Sequence, residues 1–436
     1  MISSRIRVMV RLSLEVTAPA QRARAAPPGR RVLGALRHRN YRLFFGSQII
    51  SMVGTWMQSL ALPWLALQLT HSAFLVGLVL ALQYLPVLAL APVGGVIADR
   101  FPKRSVLQLT QAAFILPAVF LFVVTWNHTV SYWMLVVAAL AWGLVQMVDV
   151  PTRQAFAIEM VGREDLMNAI ALNSSVWNAA AVIGPSLAGV VIAFFGVAPT
   201  FLFNAVSYLA VIVGLSLMHN LPRLLQETTR QPVQRRMVEG ARYVRRDPVV
   251  GAMLVVVAVF SLFAMNRLTL MPLFADQVLK VGAVGFGLLM GAVGLGSLSG
   301  ALALALMAPQ PSGRRQFWVG AGWAAALLAF SLCRYLPLSM VLLFAAGLCQ
   351  MLFLATANTR VQTATPDRLR GRVMAFYAQA VMGVGPLGAT QAGALASFFG
   401  APAAMAAGAV VAGLVIVGVR IFWPAVFTME PSEMVA

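Results

Sequence analysis

The sequence predicts an all-α polytopic membrane protein of twelve spanning helices, arranged as two six-helix pseudo-repeats. Three observations lead there. The 436 residues are 60% hydrophobic and only 10% charged, against roughly 25% charged in a soluble globular protein. Much of the surface must therefore face lipid. The apolar residues come in long continuous runs, which favours helices over the short alternating segments of a β-barrel. The net charge of +19 is spread as short basic clusters between those runs, the pattern of the positive-inside rule rather than of a nucleic-acid binder.

Taken in order, residues 1–40 are rich in Arg, Ala and Pro, with Glu15 as the one acid. No apolar core follows the first basic residues, so this is not a secretory signal peptide. It reads as a disordered cytoplasmic tail whose arginines rest on anionic headgroups; an organelle transit peptide shares the composition. The N-terminal half, 41–217, holds apolar segments at about 43–68, 72–98, 105–126, 131–151, 166–195 and 199–217. A polar cytoplasmic linker, 218–248, follows. The C-terminal half, 249–424, holds segments at about 249–275, 283–308, 316–333, 336–356, 373–397 and 401–423, and 425–436 form a second cytoplasmic tail. Each segment has about the 20 residues needed to cross a bilayer, or somewhat more.

Placing Lys and Arg tests that count. With the N-terminus inside, the inner loops collect Arg100, Lys103 and Arg104, then Arg153 and Arg163, then the seven arginines from Arg223 to Arg246, then Arg314 and Arg315, then Arg360, Arg368, Arg370 and Arg372. The outer turns keep only Lys280 and Arg334. This asymmetry fits twelve spans with both termini cytoplasmic. The halves also repeat internally. Thr152-Arg153, Gly184-Pro185 and Phe194-Phe195-Gly196 recur in the same order as Thr359-Arg360, Gly385-Pro386 and Phe398-Phe399-Gly400.

The stretch Gly94 to Arg104, GGVIADRFPKR, is a charged turn between spans 2 and 3. Gly94 and Gly95 let another backbone come close, and Asp99 with its basic neighbours marks a membrane face. Gly95, Asp99-Arg100 and Lys103-Arg104 resemble the loop signature of the major facilitator superfamily, with Pro102 where that family often has a second glycine. Span 5, with Gly184, Pro185 and Gly189 in the run AAVIGPSLAG, resembles the family's fifth-helix antiporter signature. Longer stretches, Val150 to Ala155, Leu166 to Ser174 and Pro366 to Met374, look like the branch that includes the enterobactin exporter and macrolide-efflux-like proteins.

The resemblance implies a central cavity between two rocking halves and a secondary active transporter. It would export a small amphipathic molecule, a drug or a siderophore, by proton-driven antiport. The alternatives are an importer or uniporter of a small metabolite and, from another class, a membrane receptor or enzyme. The implied setting is the bacterial inner membrane, as a monomer, with substrate, protons and the lipid bilayer as partners, no nucleic acid, no cofactor and no metal. Asp99 is expected to face the start of span 11 near Gly371, and Arg100, Lys103 or Arg104 to pair with Asp149. Together these form a latch that holds in one state and breaks in the other.

Arg267 is the clearest charge within a membrane segment, nine positions before Asp276 and too far from it to pair, so its partner comes from another span. The expected cavity lining is Trp56, Gln58, Gln83, Trp142, Gln146, Asn266, Arg267, Gln350 and Asn358, polar or aromatic residues on spans that should face the centre. Span 1 carries no acid, which leaves Asp149, Glu159 and Asp276 as proton-coupling candidates. Cys333 and Cys349 lie in or beside apolar runs and indicate no disulfide framework. The scattered His38, His71, His128 and His219 make no site, and no nucleophile–base set or phosphate loop appears.

Overall fold

A computed structural model describes residues 34–162, 164–219, 233–307 and 312–428. Most of the basic tail, the middle of the linker and residues 429–436 lie outside the described residues; 425–428, expected as the start of a tail, form a short helix with Val426 and Phe427 buried. A short 3₁₀ turn, Gly34–Arg37, leads into α1 (Arg39–Thr70), α2 (Ala73–Arg100), α3 (Lys103–Trp126), α4 (Tyr132–Val161), α5 (Leu166–Phe195) and α6 (Ala198–Ser216). The linker contributes α7 (Val233–Arg246). Then come α8 (Pro248–Ala264), α9 (Arg267–Leu273) with a π-turn at Phe274–Val278, α10 (Gly282–Met307), α11 (Gly313–Leu332) and α12 (Leu336–Ala364). The chain closes with α13 (Asp367–Ala378), a second π-turn at Gln379–Gly383, α14 (Gly385–Phe422) and α15 (Ala425–Thr428). No strand is present among the described residues. In lipid, backbone polar groups must be satisfied within the chain, and helices do this.

Among the described residues, ten stretches are long and apolar enough to cross a membrane; they resolve into eleven spans, and α11 makes the twelfth. The stretch Leu369–Phe422 has 54 residues, about 80 Å at the α-helical rise, far too long for one crossing. It is broken at Gly400, whose φ of 82° is left-handed, so α14 supplies the end of span 11 and all of span 12. Gly196, with φ 81°, closes α5 at the equivalent place. The repeated Phe-Phe-Gly is thus a turn that needs glycine at its last position. The twelfth span is α11, whose first turn carries Arg314 and Arg315.

The helices differ from the sequence expectation mainly at spans 4, 7 and 10. α4 runs to Val161 and α12 to Ala364, about two to three turns past the apolar runs. Arg153 and Arg360, expected in turns, therefore lie inside helices. Their side chains are packed against neighbouring helices rather than lipid, so hydropathy stops short of the true helix end. Span 7 is interrupted at Met265 and Asn266.

Packing repeats between the halves. α2 packs on α4 as α10 does on α12; α3 packs on α4 and α6 as α11 does on α12 and α14. Two large contacts join the halves, α5 with α10 and α2 with α14. Both are backbone-to-backbone. A methyl added at Gly393 would stand 2.6 Å from the Ala73 carbonyl oxygen and 3.2 Å from Gly77 Cα. One at Gly287 would stand 2.7 Å from the Pro185 carbonyl oxygen and 3.1 Å from Gly189 Cα. Small residues are what allow helices to approach this closely in a membrane. All four glycines sit within two turns of the end whose turns hold only Lys280 and Arg334 as basic residues, the arginine-poor end. At the opposite, arginine-rich end, Gly95 and Gly371 face open space.

Overpacking costs about 1–3 kcal/mol. Gly77→Leu and Gly287→Leu should each lower the unfolding midpoint of the purified protein by several degrees, whereas Gly95→Leu should leave it unchanged; differential scanning fluorimetry distinguishes the three.

Candidate functional site

Below the two glycine seams lies a cavity of about 180 Å³. Its walls come from both halves: Trp56 of α1 and Trp177, Asn178 and Ala181 of α5 on one side, Arg267, Met290, Ser297, Gln350 and Met351 on the other. Trp56 and Trp177 meet edge to face at 5.4 Å. Arg267 opens α9 at the break in span 7, and its Nη1 donates to Gln350 Oε1 of α12 at 3.2 Å. The partner on another span that its spacing requires is thus a neutral amide, which leaves the positive charge uncompensated by a carboxylate within that contact. The cavity offers aromatic faces, soft thioethers, two amides (Asn178 and Gln350) and one guanidinium. Such a wall suits a flat or aromatic solute bearing negative charge.

The structure places three of the nine expected cavity residues in this lining: Trp56, Arg267 and Gln350. The others serve contacts between or within helices. Gln58 is buried and accepts from Asn204 Nδ2 at 2.7 Å. Trp142 is buried between Tyr84 and Phe114. Gln83 is buried on α2, whose backbone passes Gly143 of α4. Asn266 donates to the Leu262 carbonyl oxygen at 2.7 Å and abuts Gly388. Asn358 accepts from Gln362 at 2.6 Å. Gln146 is half-buried on α4 and does not line this cavity. Sequence reasoning missed Trp177, Asn178 and the methionines. The Trp-Asn pair at the start of span 5 was a visible signal; the methionines gave none, since a thioether reads as an ordinary core residue.

The Gly-Pro signature acquires a packing role. A Cβ at Gly184 would meet Trp56 Cβ and stand 2.9 Å from the Val53 carbonyl oxygen, while Gly189 faces α10. The motif presses α5 simultaneously onto α1 and the other half, next to the cavity tryptophans.

The expected latch is arranged differently. Asp99 and Arg100 are exposed and make no hydrogen bond or ion pair among the described residues. Asp99 is exposed and nothing lies within 4 Å of a Cβ at Gly371, so the two are not packed together. Of the two loop glycines, Gly94 is pressed against the α4 backbone at Met147, whereas Gly95 meets nothing. Lys103 pairs with Glu159 of α4 at 2.8 Å, and Arg104 donates to the Ser216 carbonyl oxygen at 3.0 Å. Neither they nor Arg100 reach Asp149. Asp149 is fully buried and pairs with Arg153 one turn on, at 2.6 and 3.0 Å. It also accepts from Thr110 Oγ1 and Gln111 Nε2, each at 2.8 Å, and Arg153 reaches Gln48 of α1. This network ties α1, α3 and α4 together. In the other half, fully buried Arg360 donates to Gln316 Oε1 at 2.7 Å and to the Val426 carbonyl oxygen at 2.6 Å, fastening α12 to α11 and α15. Glu159 is thus held by Lys103, and Asp276 is exposed on the π-turn.

Among known proteins, the family model described as Transmembrane secretion effector matches residues 31–435. Enterobactin exporter EntS of Shigella boydii serotype 4 is 27% identical over 377 residues, covering 83% of this chain and 89% of the exporter. The Staphyloferrin A transporter of Staphylococcus aureus is 28% identical over 191 residues, 43% of this chain; the match spans about half, 48%, of that relative's length. Of solved structures, nucleoside transporter NupG superposes with a TM-score of 0.70 at 10% identity, over 89% of this chain and 100% of that one. A bacterial homologue of the iron transporter ferroportin in an inward-facing state gives 0.68 at 15% identity, over 88% and 98%. Identities this low speak to the fold alone.

Removing one partner of a buried ion pair costs about 3–5 kcal/mol, because the other charge is left uncompensated. Asp149→Asn should destabilise the protein by about 3 kcal/mol, and adding Arg153→Gln should recover part of that loss. A double-mutant cycle on unfolding midpoints reads the coupling; strict additivity would contradict a direct pair.

Proposed function

The chain belongs to the transmembrane secretion effector family of the major facilitator superfamily, and from that premise we propose that it exports a small, aromatic, anionic solute by proton-driven alternating access. It is a multi-pass membrane transporter of small molecules, not an enzyme. The observation that carries the reading is the cavity shared between halves, with Arg267 on one wall and Trp56 and Trp177 on the other, beneath glycine seams and open-faced Gly95 and Gly371 at the far end. Such a geometry supports loading from the arginine-rich side and release after the seams part. The positive-inside rule makes that side cytoplasmic, with both termini there, which turns loading from it into export. A siderophore is the favoured cargo, in keeping with the similarity to the Staphyloferrin A transporter and the enterobactin exporter; a drug is the second. The Gly184-Pro185 kink favours an exporter over an importer through family likeness.

Proton coupling belongs to the same reading. Asp149 is the one fully buried carboxylate among the described residues, and the network around it ties α1, α3 and α4 together. The exposed Asp99 then serves the opposite state, closing on span 11 when the arginine-rich ends come together.

In inside-out membrane vesicles energised by a proton gradient, the full chain should accumulate a catechol siderophore, and an uncoupler should abolish the accumulation. Accumulation indifferent to the uncoupler would contradict antiport. Losing a charge-assisted hydrogen bond costs about 1.5–3 kcal/mol; Arg267→Gln should therefore raise KM for an anionic cargo by about tenfold or more while leaving a neutral cargo nearly unchanged. Asp99→Asn should slow turnover with little change in KM, since a latch acts on exchange between states and not on the cavity.

A further inference from the structure

Helix α7, VQRRMVEGARYVRR, has two faces with different fates. One is docked. Glu239 pairs with Arg372 of α13. A Cβ at Gly240 would stand 3.0 Å from the Phe376 ring and 3.1 Å from Arg372 Cβ, so the backbone of α7 is pressed against the entrance of span 11. The Tyr243 hydroxyl lies 3.2 Å from the Ala364 carbonyl oxygen and 3.0 Å from Asp247 Oδ2. Burial and the neighbouring Asp247 carboxylate push its phenol up to about 12, so it stays a neutral donor at physiological pH. These contacts fall on residues at the ends of spans 10 and 11, and they hold α7 against the end of the bundle.

The other face is a stripe. Val238, Arg242, Arg245 and Arg246 stand at i, i+4, i+7 and i+8, positions that share one side of a helix, and all four are exposed. None of the three arginines makes a hydrogen bond or ion pair among the described residues. Arg246 is two positions from Pro248, where a membrane span begins. At 1.5 Å per residue, the three arginines lie within about two helical turns of that entry point, close to the depth of lipid headgroups.

We infer that this stripe is a binding surface for anionic phospholipid headgroups in the leaflet at the arginine-rich end. A guanidinium presents a planar fork that matches a phosphate, and charge-assisted pairs of this kind are the stronger ones. Val238, exposed on the same stripe, supplies the apolar contact that distinguishes an interfacial face from a purely solvated one. With its other face clamped to Arg372 and Phe376, α7 ties the entrance of span 11, the segment that the Asp99 loop must reach, to the charge of the surrounding leaflet.

The test uses the full chain with Cys333 and Cys349 replaced by alanine and a fluorophore on Val238→Cys. It is reconstituted in phosphatidylcholine vesicles containing either spin-labelled phosphatidylglycerol or spin-labelled phosphatidylcholine at the same mole fraction. Each basic residue near an anionic surface multiplies local affinity about fivefold. Quenching by the phosphatidylglycerol probe should therefore exceed that by phosphatidylcholine at least about threefold. The triple change R242Q/R245Q/R246Q should abolish the preference, and R242K/R245K/R246K should retain most of it, which separates loss of charge from loss of folding. Equal quenching by the two lipids, absence of quenching by both (a stripe that faces water or a protein), or a preference that survives the glutamine triple would each overturn the inference. None of these readouts requires transport.

Discussion

Everything above the cavity depends on how closely two pairs of helices can approach. Gly77 against Gly393 and Gly189 against Gly287 bring backbones within about 3 Å of where a side chain would begin. A bilayer offers little hydrophobic drive for helix association, so such contacts are held by van der Waals packing over matched small residues. They seal one end of the molecule without a hydrogen bond or charge between the glycines themselves. A seam of that kind is firm when closed and leaves no desolvated charge behind when it parts, which suits the opening and closing proposed for it.

Charge is handled in the opposite way. The buried ions are kept inside one half or the other, where nothing has to separate. Asp149 and Arg153 bind α1, α3 and α4, and Arg360 holds α11, α12 and α15. Each half is thereby fastened internally, as the proposed rocking of the halves requires. Arg267 is the exception, since its side chain borders the shared cavity and its recorded partner is a neutral amide. A charge spent there, where its burial is costly, has its natural counterpart in a ligand. The exposed loop charges at the arginine-rich end, Asp99 and Arg100, are free to meet a partner in another state.

Much of the architecture was legible in the sequence because lipid enforces continuous apolar runs and loops must carry the charge. The Phe-Phe-Gly repeat even marked the turn between spans 11 and 12, where the helices otherwise run on. What was not legible followed from packing. Arg153 and Arg360 read as loop cations because hydropathy cannot distinguish a charge buried against neighbouring helices from one in water. Gln58, Gln83 and Trp142 read as cavity lining because composition says which residues are polar or aromatic, but not which side of a helix another helix covers. The same blindness made Gly94 and Gly95 equivalent in sequence, although only Gly94 meets a neighbouring backbone. Trp177 and Asn178 were visible as polar and aromatic residues on span 5, yet their place in the cavity wall with Arg267 depends on how α5 packs against α1 around Gly184.

The most direct test of alternating access is sided labelling of Asn178→Cys, with Cys333 and Cys349 replaced, by a membrane-impermeant maleimide. In unenergised membranes this cysteine should react from the arginine-rich face, the one proposed to be cytoplasmic, and stay protected from the other, where the glycine seams pack closely. Adding substrate and a proton gradient should make it reactive from the opposite face as well. Reaction from the outer face at rest, or an accessibility that turnover leaves unchanged, would contradict the account.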